Sequence, residues 1–221
     1  MSLDFSQKPL VVGVVSDAAT WRSLAQDTPC DLVELRVDAL PEEERLLPLS
    51  HPCPKPLLIT ARHASEGGNR VWDEAERTRL VSQLLPTAAA LDWEVAQLAA
   101  ATELIAEAKA RGVTVIASAH DFAGTPTTED MLATEQQALA VGADVVKMAF
   151  TPLRAEDLMV GVEFLRRPHA TPIAIMGMGG FAAASRALYA HLGSALLYGY
   201  LGDQPTAPGQ WPASLCRALC N

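Results

Sequence analysis

The pattern that decides the fold lies in residues 113–150, VTVIASAHDFAGTPTTEDMLATEQQALAVGADVVKMAF. An apolar run starts at Val113, a polar turn follows, then a segment with helical spacing, and a second apolar run starts near Asp144. Short apolar runs of this kind are typical of buried strands, and parallel strands need a crossover of a dozen or more residues, usually a helix. The stretch therefore predicts a strand, a helix and a second strand parallel to the first.

The same unit recurs along the whole chain. Apolar runs begin near Leu10, Asp31, Leu57, Ala90, Val113, Asp144, Pro172 and Ala195. Helices are predicted over 73–85, 95–110, 127–141, 153–167 and 182–192, with Gly112, Gly142 and Gly193 at C-terminal caps. An open doubly wound sheet uses the same alternation, but eight strands in regular order favour an α/β fold of the (β/α)₈ TIM barrel type. No linker divides the chain, so we expect one catalytic domain over residues 1–221.

Composition narrows the function classes. The chain has 26 Asp plus Glu against 17 Lys plus Arg, a formal charge of -9, which disfavours nucleic acid and anionic membranes as partners. No apolar run approaches the roughly 18 to 20 residues of a membrane span, and the N-terminus lacks a signal-peptide pattern, so we expect a cytoplasmic protein. The four cysteines are too scattered for a disulfide framework, and we expect no metal site.

Polar residues cluster where the predicted strands end, which is where barrels carry their reactive groups. Glu34 and Arg36 are two apart on the second strand and therefore share a face. They are either functional or a structural ion pair. Arg62 ends the third strand and Glu66 follows it, either as a site residue or as part of a surface loop.

Lys147 is the most informative residue, because it alone among four lysines interrupts a buried strand. Burial and nearby cations such as Arg36 or Arg62 favour the neutral amine. A neutral amine in a pocket is a nucleophile that forms Schiff bases with ketones or aldehydes. The structural alternative is a lysine that extends to solvent or pairs with Glu94.

His120, one strand before Lys147, supplies the proton transfer that such chemistry needs near neutral pH. Glu66 is expected to hydrogen-bond this ring and hold its tautomer. Ser118, His120 and Asp121 do not form a hydrolase triad, because close neighbours in one strand cannot converge on one point.

The last two strand ends complete the predicted site. Arg186 follows the seventh strand and suits bidentate capture of a carboxylate. Gly177, Gly179 and Gly180 are an alternative phosphate cradle. Residues 203–210 are rich in turn formers and predict a lid loop.

Together these motifs resemble the type I 3-dehydroquinate dehydratases, the Schiff-base enzymes of the shikimate pathway. The resemblance runs from about Leu10 to Gln210. Its motifs are Glu34-Leu-Arg36-Val-Asp38, Arg62 with Glu66-Gly-Gly68, Ser118-Ala-His-Asp-Phe122 with Thr125-Pro126, Lys147-Met-Ala149, Met176-Gly-Met-Gly179 with Ser185-Arg186, Gly193-Ser194, and Ala207-Pro-Gly-Gln210.

The resemblance implies a cofactor-independent dehydration of 3-dehydroquinate to 3-dehydroshikimate. It implies that Lys147 forms the imine with the substrate ketone and that His120, supported by Glu66, moves the protons. It implies further that Arg186 holds the carboxylate. The remaining implied substrate-binding residues are Glu34, Arg36, Arg62, Thr206 and Gln210. We expect the substrate to be the main partner, and the protein to be a homodimer.

Two rival functions stay open at this point. A class I aldolase acting on a phosphorylated sugar would keep the imine, with the strand-seven glycines holding phosphate. A catalytically silent barrel would serve as a binding module. The chain also departs from the resemblance: the N-terminal hairpin that closes the barrel bottom in many relatives is expected to be absent or reduced. The lid is about one residue longer than expected, and Thr206 stands where serine is common.

Overall fold

Eight parallel strands form a single sheet in the computed structural model, which describes residues 3–6 and 9–220. The strands are β1 (Leu10–Val15), β2 (Leu32–Arg36), β3 (Leu57–Thr60), β4 (Ala90–Glu94), β5 (Thr114–Asp121), β6 (Val145–Phe150), β7 (Ile173–Gly177) and β8 (Leu196–Tyr200). Strands β1 to β7 pair consecutively, and β8 pairs with β1, so β7 and β8 are the two edges of the sheet. Every strand begins within one residue of its predicted start.

The two remaining edges meet between β7 and β8. Ala195 N donates to Ile173 O at 2.7 Å, and Ile175 N donates to Ser194 Oγ at 2.9 Å. These bonds join the edge strands and close the sheet into a cylinder. The prediction of a (β/α)₈ barrel is confirmed.

Helices connect the strands on the outside of the barrel. They are α1 (Ala18–Arg22), α2 (Leu47–Ser50), α3 (Glu74–Leu84), α4 (Thr102–Ala110), α5 (Thr128–Ala140), α6 (Leu158–Leu165), α7 (Ala182–His191) and α8 (Ala213–Leu219). Gly112, Gly142 and Gly193 follow α4, α5 and α7 with left-handed backbones, as predicted. None of the helices in the described ranges combines the length and apolar composition that crossing a lipid bilayer requires.

Two predicted helices are shorter than expected. The helix predicted over 95–110 starts with a 3₁₀ turn, Val95–Ala100, and becomes α-helical only at α4. The helix predicted over 153–167 starts with the 3₁₀ turn Ala155–Asp157 before α6. In the second case the Asp157 carboxylate accepts hydrogen bonds from the backbone N–H groups of Leu153 and Arg154, both at 2.9 Å, which stabilises a turn at the helix start.

The strand alternation builds the site on top of an apolar floor. Leu32, Leu58, Ile116 and Val145 point into the barrel and form one buried cluster, against which Leu3 and Phe5 also pack. Because side chains on one face of a strand repeat every two residues, the next interior layer comes two positions later. That layer consists of Glu34, Thr60, Ser118 and Lys147, all buried. The barrel interior therefore changes from apolar to polar towards the carboxyl ends of the strands.

Candidate active site

A cavity of about 220 Å³ lies at the carboxyl ends of the strands. All nine predicted site residues line it. They are Glu34, Arg36, Arg62, Glu66, His120, Lys147, Arg186, Thr206 and Gln210. Apolar side chains, including Met176 and Met178, form other parts of the wall. A small polar ligand that entered here would contact charged groups on several sides.

Lys147 stands in the centre of this arrangement and is 4% exposed. Its Nζ lies 2.9 Å from Asp92 Oδ2 and 4.4 Å from the centroid of the Tyr198 ring. The alternative of a pair with Glu94 is wrong. Glu94 is level with Lys147 in strand register, but strands in a barrel are inclined to its axis, so residues at the same height come from different register positions. Asp92, two residues earlier, is the one within reach.

Asp92 also contacts a second buried cation, Arg62. Arg62 Nη2 lies 2.8 Å from Asp92 Oδ1, and Ser118 Oγ donates to the same oxygen at 2.6 Å. Burial favours the neutral acid, but Arg62 and Lys147 outweigh it and hold the pKa of Asp92 well below its usual range. Arg62 also remains charged. Burial disfavours its guanidinium cation, but the nearby carboxylates of Asp92 and Glu94 outweigh burial and raise the pKa of Arg62.

His120 and Glu66 form the predicted pair. His120 Nδ1 lies 2.8 Å from Glu66 Oε2, and the backbone N–H of His120 donates to the same oxygen at 3.0 Å. Burial, together with the nearby Arg62 and Lys147 cations, lowers the pKa of His120 well below its ordinary value. Burial raises the pKa of Glu66 to about 7. When Glu66 is ionised it accepts a hydrogen bond from the Nδ1–H group, and Nε2 is then left with a lone pair to act as a base.

The alternative of a structural ion pair between Glu34 and Arg36 is wrong. Arg36 instead forms a two-pronged pair with Asp38, at 2.9 and 2.7 Å, while Glu34 accepts a hydrogen bond from Thr60 Oγ1 at 2.8 Å. The guanidinium bends back along its own strand end because Asp38 offers both oxygens in fork geometry. Glu34 is one of the residues that line the cavity.

Arg186 reaches the cavity from α7 and is 2% exposed. It donates to the carbonyls of Tyr198, Gly177 and Ala182 at 3.1–3.2 Å. No acidic side chain in residues 3–6 and 9–220 forms an ion pair with it, and burial lowers its pKa. A buried cation held only by carbonyl dipoles is suited to bind an anion that is not part of the protein.

The 203–210 loop covers one side of the cavity. Gln210 is buried, and its Oε1 accepts hydrogen bonds from Thr206 N at 2.9 Å and Thr206 Oγ1 at 2.8 Å. Gly179 N donates to Pro208 O at 3.1 Å, which ties the loop to the segment after β7. That this loop opens and closes as a lid stays a prediction.

Two residues that contact Lys147 were not assigned a role from the sequence. Asp92 was visible as an acidic residue beside Glu94, but its contact with Lys147 depends on the strand tilt. Tyr198 lies two residues after the interior Leu196, a periodicity that could have placed it in the barrel. Its hydroxyl is buried and has no hydrogen-bond partner in the described part of the chain, so it is open to a ligand. Within residues 3–6 and 9–220, no group of three or more His, Cys, Asp or Glu side chains is arranged to hold a metal ion.

Comparison with known proteins agrees with this geometry. The family model of type I 3-dehydroquinase matches residues 9–220. The 3-dehydroquinate dehydratase of Geobacillus kaustophilus is 34% identical over 205 residues, covering 86% of this chain and 79% of that protein. The enzyme of the same name from Enterococcus faecalis is 32% identical over 227 residues, covering 95% and 88%.

Solved structures give the same result. The crystal structure of type I 3-dehydroquinate dehydratase from Clostridium difficile, with covalently modified comenic acid, superimposes with a TM-score of 0.86 at 26% identity and covers 98% of this chain and 92% of that one. The Geobacillus kaustophilus structure gives a TM-score of 0.82 at 28% identity, covering 97% and 90%. Fold, cavity and sequence agree, and the chain belongs to the type I 3-dehydroquinase family.

Proposed function

We propose that this protein is a 3-dehydroquinate dehydratase, a hydro-lyase that converts 3-dehydroquinate to 3-dehydroshikimate and water through a lysine Schiff base. One observation carries the proposal: a buried lysine amine, a His–Glu pair and an arginine that has no acidic partner within the described residues line the same cavity. An amine nucleophile, a proton carrier and an anion site are what this reaction needs on a β-hydroxy ketone that carries a carboxylate.

The reaction begins with Lys147. Its Nζ attacks the C3 carbonyl carbon, a nitrogen–carbon bond forms, and the carbonyl oxygen leaves as water to give the imine. The imine nitrogen, when protonated, draws electrons from C2 and acidifies the hydrogen there. Asp92, at 2.9 Å from Nζ, stabilises the positive charge of that iminium.

His120 then moves the protons. Its Nε2 removes the C2 proton, and the electron pair forms an enamine. The enamine expels the C1 hydroxyl, which takes the proton from His120 and leaves as water. One water hydrolyses the imine, releases 3-dehydroshikimate and restores Lys147. Glu66, 2.8 Å from Nδ1, stabilises the imidazolium that exists between the two transfers.

The other predicted residues hold the substrate. Arg186 binds the C1 carboxylate, because its charge has no acidic partner in the described ranges. Glu34, Arg36, Arg62, Thr206 and Gln210 contact the ring hydroxyls and the carbonyl region. An aldolase acting on a sugar phosphate would need a second unpaired cation beside Arg186, whereas Arg36 is paired with Asp38 and Arg62 with Asp92.

The test is turnover of 3-dehydroquinate by the purified protein, followed by the ultraviolet absorbance of the conjugated enone product. We expect dehydration by the wild type and loss of at least about a thousandfold in kcat for Lys147→Met, because no other lysine among the described residues lines the cavity. The control Lys109→Met removes an exposed lysine at the end of α4 and should retain activity. No turnover by the folded wild type would overturn the proposal.

The location and assembly of the protein remain predictions. A cytoplasmic location fits a shikimate-pathway enzyme and is tested by fractionation of cells that express it. A homodimer is tested by light scattering of the purified protein, which reports its mass in solution.

A further inference from the structure

A row of buried charges crosses the barrel wall and ends at Lys147. It starts outside the barrel on α3, where the Arg77 side chain is fully buried. Arg77 Nη2 pairs with Glu94 Oε2, and Nε donates to Ala61 O at 2.7 Å. The guanidinium carbon lies 3.7 Å from the centroid of the Trp93 ring. Arg77 Nη1 also lies 3.3 Å from Oε2 of Glu74, whose side chain is 41% exposed, so Glu94 is the buried carboxylate that Arg77 compensates.

The row continues inward through alternating signs. Glu94 Oε1 accepts hydrogen bonds from Arg62 Nη1 and from the backbone N–H of His63, both at 2.9 Å. Arg62 Nη2 lies 2.8 Å from Asp92 Oδ1, and Asp92 Oδ2 lies 2.9 Å from Lys147 Nζ. A buried charge is tolerated only when it is compensated, so the members of such a row depend on each other.

The charge balance of this row bears directly on the lysine. Within this row the two arginines compensate the two carboxylates, so the row itself places no net negative charge beside Lys147. Without Arg77, one carboxylate charge would be uncompensated in a medium of low dielectric constant. That charge would favour the protonated lysine, which cannot attack a carbonyl.

We propose that Arg77 is a positioning residue that acts through Glu94 and Arg62 to keep the Lys147 amine available for imine formation. This inference rests on the proposed function, since it assigns a purpose to Arg77 only if Lys147 is the nucleophile. Arg77 touches neither the cavity nor a substrate bound in it, and its effect is electrostatic.

Other charged and titratable groups face Lys147 from the strands and loops around it, and the variants below leave them unchanged. They are Glu34 and Arg36 on β2, Arg62 and Glu66 after β3, Asp92 on β4, His120 on β5, Arg186 on α7 and Tyr198 on β8. Because all of these stay in place, a change in the behaviour of Lys147 reports on the two residues substituted.

The experiment compares the rate at which borohydride traps the imine, over a range of pH, in four proteins. Borohydride delivers hydride to the imine carbon and turns the C=N bond into a stable secondary amine, so trapping reports the lysine without requiring proton transfer by His120. The proteins are the wild type, Arg77→Met, Glu94→Gln and the double variant Arg77→Met/Glu94→Gln. Each is incubated with 3-dehydroquinate.

The two single variants should shift the pH midpoint of imine trapping in opposite directions. Arg77→Met adds net negative charge, so the pH at which trapping becomes half-maximal should rise by about one unit, with trapping about tenfold slower below it. Glu94→Gln adds net positive charge and should move the same midpoint to lower pH. The amide oxygen of Gln still accepts from Arg62. The double variant restores the balance and should return close to the wild-type midpoint. A fifth protein, Arg77→Lys, serves as the conservative control: it keeps the charge and should recover most of the wild-type rate.

A purely structural role would give a different pattern. All three variants would then lose activity without a change of midpoint, or would shift it in one direction, and either result overturns the proposal. If Arg77→Met fails to fold, Glu94→Gln and Arg77→Lys still test the predicted signs. A wild type that neither turns over 3-dehydroquinate nor is trapped defeats the proposed function instead, which keeps the two failures distinct.

Discussion

At the scale of single residues, the proton chemistry depends on two neighbours with opposite preferences. Burial raises the pKa of Glu66 to about 7, while burial and nearby cations lower the pKa of His120. Around neutral pH the pair changes from a protonated Glu66 to a carboxylate that accepts from Nδ1. Only the second state leaves Nε2 free as a base. The activity of the enzyme should therefore rise with pH as Glu66 ionises.

Glu66→Gln should remove the step in activity near neutral pH that accompanies the ionisation of Glu66. The wild-type kcat is expected to increase through about pH 7, because the carboxyl group loses its proton there. The amide oxygen of Gln accepts from Nδ1 at every pH, so the step should disappear, and the plateau should fall about tenfold because no charge stabilises the imidazolium. The measurement is kcat against pH. Exposed Glu163→Gln on α6 is the control. A step that persists unchanged in Glu66→Gln would contradict this role.

Most of the site was predictable from single residues, and the rest required the barrel. Polar residues inside or just after apolar strands, such as Lys147 and Glu66, are visible in the sequence, whereas Thr206 and Gln210 came from the family resemblance. All nine line the cavity. The partners were not visible. Asp38 rather than Glu34 pairs with Arg36, and Asp92 rather than Glu94 lies beside Lys147. Both depend on side-chain direction and strand tilt, which spacing along one strand does not report.

At the scale of elements, the 203–210 loop depends on one tight approach. Gly209 has a left-handed backbone, with φ of 72°, and a Cβ built on it would lie 2.5 Å from the carbonyl oxygen of Gly179. The loop backbone packs directly on the segment after β7, next to the bond from Gly179 N to Pro208 O. Only glycine fits this position without moving the loop.

Gly209→Ala should displace the loop from the cavity. We expect KM to rise about tenfold, because Thr206 and Gln210 would leave their places beside the substrate, and kcat to change less. The control is Gly180→Ala, since a Cβ there meets no atom within 4 Å. The measurement is the KM of both variants by steady-state kinetics. Equal KM values for Gly209→Ala and Gly180→Ala would exclude a role for loop packing in substrate binding.

Strand positions were predicted well because buried parallel strands are nearly continuous apolar runs. Helix starts were predicted less well. The 3₁₀ turns before α4 and α6 arise from local geometry, such as the contacts of the Asp157 carboxylate with two backbone N–H groups. Helical periodicity does not distinguish such a turn from the first turn of an α-helix.

At the scale of the whole molecule, buried carboxylates make stability depend on pH. Asp38 is buried, and it accepts from Arg36 and from the backbone N–H groups of Arg62 and Asn69, each at 3.1 Å. Burial favours its neutral form, but these partners outweigh burial and lower the pKa of Asp38. A lowered pKa in the folded state stabilises the fold above the unfolded value of about 3.9, and this stability is lost as the pH falls further.

Asp38→Asn should therefore lower stability most at neutral pH. Removing one partner of a buried ion pair costs about 3 kcal/mol, which corresponds to a fall in Tm of roughly 6–12 °C for a chain of this length. Below about pH 4 the difference from the wild type should shrink, because the wild-type carboxylate also becomes protonated. Calorimetry at pH 7 and pH 3 measures both, with exposed Asp27→Asn as control. A gap in Tm that grows on acidification would contradict this assignment.

The proposed mechanism requires a covalent intermediate on Lys147, and mass spectrometry detects such an intermediate. The protein is treated with borohydride in the presence of 3-dehydroquinate, digested and sequenced by tandem mass spectrometry. We expect irreversible loss of activity and one added mass, that of the reduced ligand, on the peptide that contains Lys147. Full inactivation with the added mass on another lysine, or no adduct in an enzyme that turns over the substrate, would contradict it.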